Sequence, residues 1–432
     1  MRQSLADKVC GTKVGLWLLI PEHLRLGSWD LLSHWAGPDA VGLSPRLAMQ
    51  MVNESALCVT GIRAKRCLTQ SDFALASGLP YVATDSAIHN MLDAHSVAQA
   101  EQLQVALGKI RLASGHFECN IFAIDPHRTS SYSKRLMRKR KSKPTEKAKK
   151  TAQTFFCLDA ETHQPLCLSS EVSGRTVSQA TPGLLDMMTR ICGEKAAGAL
   201  VLADSEHHAA KLLDHAKRNT PFSILIPMAK TKTLKNHLKA IPAENFRAHW
   251  AGYATTRESY TMGRSTTGPM SMLVQRFGER PDEYKYNSFL CSDDRDELDA
   301  LTLDYPKRWH IEEFFNTHQA LGWQRAGTQN LNIRYGQMTM ALFAQASLEQ
   351  LRKRLPPAWA NWNAAQFAEK VLRGLQGDIR VHSNKIIVTF YNAPEESTLR
   401  HAFQHLPTKL EAEGVDPRIP WLCNFKLDFR FK

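Results

Sequence analysis

The sequence predicts an α/β fold. A domain of apolar strands and flanking helices is interrupted by a β-rich insertion, preceded by a helical region and followed by a small α+β segment. Two observations predict it. Between residues 116 and 230, short runs rich in Val, Ile, Leu and Phe alternate with stretches of helical spacing, the pattern of a sheet covered on both faces. Between 231 and 299 this gives way to alternating segments rich in Tyr, Phe, Thr and Arg. Helical spacing returns at 300–355, and Pro356-Pro357 marks a boundary. The expected division is a helical region at 1–115, a domain at 116–230 and 300–355, the insertion at 231–299, and a C-terminal segment at 356–432.

The chain has 432 residues, 43% hydrophobic and 22% charged, enough for two or three domains with proper cores. No apolar stretch reaches the roughly 18 residues of a membrane span. GLWLLIP at Gly15–Pro21 is too short, so no membrane is expected. The N-terminus lacks the ordered parts of a signal peptide. Nine cysteines without a CxxC pair read as reduced thiols of a cytoplasmic protein.

Taken in order, residues 1–115 read mainly as helix. Thr69–Pro80 and Val82–Leu92 read as two helices about a turn at Gly78, the second capped by Thr84 or Asp85. They form either a helix-turn-helix offered to a DNA groove or a plain packing pair. Ala98–Leu112 is a long helix. Phe117–Asp125 (FECNIFAID) is a buried-strand pattern ending in an acid. Thr154–Leu158 and Pro165–Val172 are strands about the turn Asp159–Gln164. Thr181–Cys192 is a helix that Gly193 ends. Gly198–Asp204 (GALVLAD) is a second apolar strand ending in an acid, followed by helix Glu206–Arg218 and strand Phe222–Met228. Strand, hairpin, helix, strand, helix, strand is the order of an RNase H-like domain. In the insertion, Phe246–Thr255, Ser271–Phe277 and Glu283–Cys291 alternate as strands. A helix begins near Asp304 with Pro306 in its first turn, and another spans Tyr335–Arg354. The last segment reads as helix Ala364–Leu375, a hairpin turning at Ser383-Asn384, and an aromatic, basic end, Trp421–Phe431. It is expected to serve packing or dimerisation.

The net charge of +13 is concentrated. Lys134–Lys150 holds ten basic residues and one acid, Glu146. Such a block repels itself and reads as an arm awaiting a polyanion. Lys134, Arg135, Arg138, Lys139, Arg140 and Lys141 are its candidate DNA-phosphate contacts, with salt-dependent binding expected.

The most informative run is Tyr305-Pro-Lys-Arg308-Trp309-His-Ile-Glu312. Tyr, Arg and Glu stand at 0, +3 and +7, within about 60° of one helix face. Ile311, Phe314 and Leu321 take a flank that can face a core. A hydroxyl, a guanidinium and a carboxylate on one surface suit a divalent cation and a phosphodiester. Trp309 either stacks on an unpaired base or packs beside Phe314. A strand-end Asp is a metal ligand or a turn residue, and Asp204 could cap the helix after it. Glu206, His207 and His208 are adjacent and point about 100° apart, which argues against one shared transition metal.

The run resembles the Tyr-x2-Arg-x3-Glu-x6-Lys signature of bacterial insertion-sequence DDE transposases, in the branch with a β-rich insertion. Gln319 stands at the family's Lys position, able to bond phosphate but without the charge. The family's Asp-x-Gly-x-x-Phe is here Asp204-Ser-Glu-His-His-Ala209. The resemblance covers about residues 115–355. It implies that Asp125, Asp204 and Glu312 are the catalytic acids and hold two Mg²⁺ ions, for which Mn²⁺ may substitute. It implies DNA contacts from Tyr305, Arg308 and Gln319. It also implies a transposase that binds terminal inverted repeats, cleaves phosphodiesters and transfers the 3′ end to target DNA, as a homodimer on double-stranded DNA at the bacterial nucleoid. Two alternatives stay open: a catalytically inactive DNA-binding descendant, and a metal-dependent nuclease without strand transfer.

Overall fold

The structure, a computed structural model, describes residues 8–37, 43–59, 71–131, 134, 136–137, 139–140, 145, 147–171, 176–263, 265–323 and 328–432. The chain divides into two compact units, one of residues 112–314 and one of residues 1–111 with 315–432.

The unbroken unit is built on one ten-stranded sheet. Its strands are β1 (Ile121–Ser130), β2 (Lys139–Arg140), β3 (Lys149–Asp159), β4 (Gln164–Glu171), β5 (Leu200–Leu202), β6 (Ser223–Pro227), β7 (Arg247–Trp250), β8 (Tyr253–Tyr260), β9 (Met270–Phe277) and β10 (Lys285–Cys291). The order is β2-β3-β1-β5-β6-β10-β9-β8-β7, with β4 on β3. Among the described residues of this sheet, only β1–β5 and β5–β6 pair parallel. Helices α1 (Val177–Cys192) and α2 (Ala210–Asn219) lie in the connections that lead into β5 and β6. The apolar runs explain the centre: Phe122, Ala123, Leu200, Val201, Leu202 and Leu225 are fully buried.

Three boundaries differ from the sequence reading. β1 begins at Ile121 and runs through Asp125 to Ser130. Past Ala123 its recorded pairing is with β3 alone, and a strand with one paired side tolerates Pro126. Helix α1 starts at Val177, because Thr176 and Gln179 form a reciprocal capping box. The helix around the signature run starts at Glu297, capped by Asp296. Pro306 therefore lies inside it. Without an N–H, and with a ring that crowds the preceding turn, proline forces the backbone to adjust. It widens over Ala300–Asp304, where the Tyr305 N–H donates to the Ala300 carbonyl, and tightens over Tyr305–Trp309. It becomes regular as α4 (His310–His318).

Segment 231–299 adds strands β7–β10 to the same sheet through the β6–β10 pairing, Leu290 opposite Ile226. It also holds a helix, α3 (Lys232–Ala240), not evident from its composition. Only Leu234 and Leu238 of that helix are buried.

The other unit centres on the 22-residue helix Leu331–Arg352, against which Leu43–Ala56 and Asp85–Asp93 pack. Of the two-helix expectation, Ser71–Ala76 and Asp85–Asp93 are helices, and the Thr84 hydroxyl accepts from the Ala87 amide. Residues 69–70 lie outside the described residues. A five-stranded sheet joins Val9–Gly11 to Gly377–His382, followed by Lys385–Phe390, Phe425–Phe431 and Arg418–Ile419. Its hairpin turns at Ser383-Asn384, with Ser383 at φ +57°. Among the described residues no helix is long and apolar enough to cross a membrane.

This unit contains a buried ion network. Glu22 is fully buried and accepts from Arg25 at 2.9 Å and Arg354 at 3.3 Å, and both arginines also reach Glu413. Burial pushes the Glu22 carboxyl up, and the two guanidinium groups oppose it. Breaking such a pair from one side leaves a buried charge uncompensated. Arg25→Met should therefore cost roughly 3 kcal/mol in urea unfolding. The double variant Glu22→Gln/Arg25→Met should recover most of that. A double variant no more stable than the single one would show that pairing is not what Glu22 requires.

Candidate active site

Asp125 lies two residues beyond the last parallel pair of β1 with β5, Ala123 opposite Leu202. Asp204 lies two residues beyond the end of β5. Because the two strands run parallel, both acids stand just past the same end of the β1–β5 pair, where crevices form in α/β sheets, although β1 itself continues beside β3. Glu312 comes from the first turn of α4. Arg308, one turn earlier, connects them: one Nη lies 2.9 Å from the Glu312 carboxylate and the other 3.8 Å from Asp125. The Tyr305 hydroxyl donates to the Ala203 carbonyl at 3.4 Å, beside Asp204, and its ring meets Phe289 edge-on. The sequence-predicted acids, arginine and tyrosine are thus one cluster, partly open to solvent.

Electrostatics separate the two aspartates. Burial pushes Asp125 up to about 7, and the charges of Asp204 and Glu312 add to it against Arg308 and Arg128. Burial alone would raise Asp204 too. Hydrogen bonds from His207 at 2.7 Å and from the Glu206 amide at 3.0 Å, with the charge of Arg308, hold it below the usual carboxylate value instead. Burial raises the Tyr305 phenol to about 12, so it is a proton donor at neutral pH.

The sequence weighed Glu206 and His207 only as metal ligands and did not single out Arg128 or Gln153, yet all four support the cluster. Asp204 caps the single turn Ser205–His207, and His207, buried, bonds back to it. Arg128, on β1, holds Glu206 at 2.5 Å and Gln153 at 3.1 Å. The signal for His207 was the three-residue spacing from Asp204. A tight turn, in place of the expected helix start at Glu206, makes that spacing a contact.

Trp309 is 56% exposed while Phe314 is buried against Phe156, so Trp309 is not a core residue. Gln319 is partly exposed in the turn Gln319–Leu321 and belongs to the other unit. Lys134 is exposed. Lys139 and Arg140 form a short strand opposite Lys150 and Lys149, so part of the basic block is a ribbon of like-charged cross-strand pairs. Arg135, Arg138 and Lys141 lie outside the described residues.

The donor set of three carboxylates suits a hard divalent cation; the raised Asp125 reflects burial first, and then the charges of Asp204 and Glu312. Among the described residues no three His, Cys, Asp or Glu side chains stand gathered as a metal cage. The guanidinium of Arg308 occupies the space between Asp125 and Glu312, so a cation shared by those two acids requires it to turn away.

A family model described as "Transposase DDE domain" matches residues 118–346, more than half of the chain. The chain belongs to the DDE transposase family. The matched span of this DDE domain includes Asp125, Asp204, Tyr305, Arg308, Glu312 and Gln319. Among solved structures, the cryo-EM structure of a piggyBac transposase synaptic complex with hairpin DNA is similar at 10% identity and a TM-score of 0.36, over 85% of this chain and 82% of that one. A likeness of that size fixes no residue correspondence. No curated protein matches the chain.

An acid whose folded pKa lies above its unfolded value costs stability as pH rises between the two. For Asp125 that window runs from 3.8 to about 7. In metal-free protein, Asp125→Asn should therefore raise the thermal midpoint at pH 8 by on the order of 5 °C. The gain should fade towards pH 4. A gain equal at both pH values would show that Asp125 is not held near neutrality.

Proposed function

We propose that this DDE family member is an active transposase, which binds the ends of its own mobile element, cuts phosphodiesters there and joins the freed 3′-hydroxyl to target DNA. The observation that carries the reading is the convergence of Asp125, Asp204 and Glu312 about Arg308 within the matched domain. The three acids would hold two Mg²⁺ ions, or Mn²⁺. When bound, such ions supply Lewis-acid stabilisation of an in-line displacement at phosphorus.

The chain's own side chains do the rest. Arg308, pairing with Asp125 and Glu312 here, has the planar fork to take up a non-bridging phosphate oxygen once those acids find another counter-charge. Tyr305, protonated at neutral pH, donates a hydrogen bond beside Asp204 and can redirect it to a phosphate. Arg128 draws the Glu206 carboxylate to itself. Trp309, exposed on the same helical run, offers a stacking face to an unpaired base. The basic ribbon would bind backbone, and the N-terminal helices would read the ends. Two protomers, each acting on one end, would form the working complex on DNA.

The test is cleavage of a labelled duplex carrying the ends of the encoding element, with Mg²⁺ against EDTA. Alanine at Asp125, Asp204 or Glu312 should lower cleavage by at least about 10³-fold. DNA affinity in EDTA should stay within roughly threefold. Tight binding without cleavage by wild type would favour the inactive DNA-binding descendant. Cleavage without strand transfer into a target plasmid would favour the nuclease.

A further inference from the structure

We propose that His207 is the positioning residue of Asp204. Its buried imidazole donates from Nδ1 to Oδ1 of the carboxylate at 2.7 Å, which would leave the other oxygen, Oδ2, to a divalent cation. The inference rests on reading Asp204 as a cation ligand.

The geometry is asymmetric in the way such a device needs. The His207 side chain is 2% exposed and that of Asp204 30%, so the bond has an anchored inner end and an open outer one. A carboxylate only accepts, so the proton of this bond sits on Nδ1 of the imidazole. Oδ1 accepts twice, from Nδ1 and from the Glu206 amide at 3.0 Å. Among the described residues no donor is recorded on Oδ2. The turn is itself closed, with the His207 amide donating to the Asp204 carbonyl at 3.1 Å and the His208 amide to the Ser205 carbonyl at 3.2 Å.

Capping this turn needs only the bond to the Glu206 amide. The imidazole adds a second bond to the same oxygen, which stops the carboxylate rotating about its own axis. Glu206 does not compete for a cation, because its carboxylate is drawn to Arg128 at 2.5 Å. Groups that orient a ligand in this way typically change metal affinity by about 10–100-fold when removed.

The test is Mn²⁺ binding by the full chain without DNA, read from the loss of the free-ion paramagnetic resonance signal, with the thermal midpoint measured on the same samples. His207→Asn places an amide N–H where Nδ1 stands. His207→Gln places it near Nε2, and His207→Leu removes it. The expected result is Mn²⁺ affinity within about threefold of wild type for Asn, and weaker by about tenfold or more for Gln and Leu. Asp204→Asn should weaken it further. Should Leu fail to fold, the contrast of Asn with Gln decides. If Gln and Leu bind Mn²⁺ as wild type does while Asp204→Asn does not, His207 has no positioning role and the ligand reading stands. A fall in thermal midpoint with unchanged affinity would make His207 merely structural and overturn the proposal. If wild type binds no Mn²⁺, or Asp204→Asn binds it unchanged, the ligand reading fails and the positioning role with it.

Discussion

Three carboxylates cannot share a partly buried crevice without a cation among them. Two like charges about 4 Å apart repel by about 4 kcal/mol at an effective dielectric of 20. Here the cation is Arg308, whose fork reaches Glu312 on its own helix and Asp125 on the sheet. Burial first, and then its two acidic neighbours, push Asp125 towards neutrality against that charge. Arg308 thus serves as the internal counter-ion of the cluster. On the proposed function, phosphate recognition and the charge balance of the metal-free cluster would fall to one side chain.

The rest of the unit keeps that constellation together. Parallel strands bring Asp125 and Asp204 to the same end of the β1–β5 pair. The helical run from Glu297 delivers Tyr305, Arg308 and Glu312, and its irregular turns sit where those side chains emerge. A regular helix would hold the three on one narrow stripe. The widened and tightened turns about Pro306 instead let Tyr305 reach the Ala203 carbonyl while Arg308 spans two acids. Fully buried Ile311 and nearly buried Phe314 anchor the opposite flank.

Much of this was legible because the signals are local. The apolar runs around Phe122 and Val201 announced strands, Thr84 its helix cap, and Ser383-Asn384 its hairpin. The acids could be read in order along their elements. What was illegible depends on partners distant in sequence or on backbone detail. The strand read as ending at Asp125 because nothing nearby says that β1 continues beyond it, paired on one side only. Pro306 looked like a helix start because proline favours that position, whereas Asp296 is the cap. Arg308 read as a phosphate ligand, and its bond to Asp125 could not be foreseen without the sheet. The pairing of Val9–Gly11 with Gly377–Ile379 joins opposite ends of the chain and leaves no periodic trace in either.

That last pairing bears on the order in which the molecule can be made. The unit bearing Asp125, Asp204 and Glu312 is one unbroken stretch, so every strand of its sheet has left the ribosome long before synthesis ends. The other unit cannot close until Phe425–Phe431 arrives to sit beside Lys385–Phe390. During translation the nascent chain therefore passes through a stage in which the acid cluster can already be assembled while the N-terminal helices still await their C-terminal half.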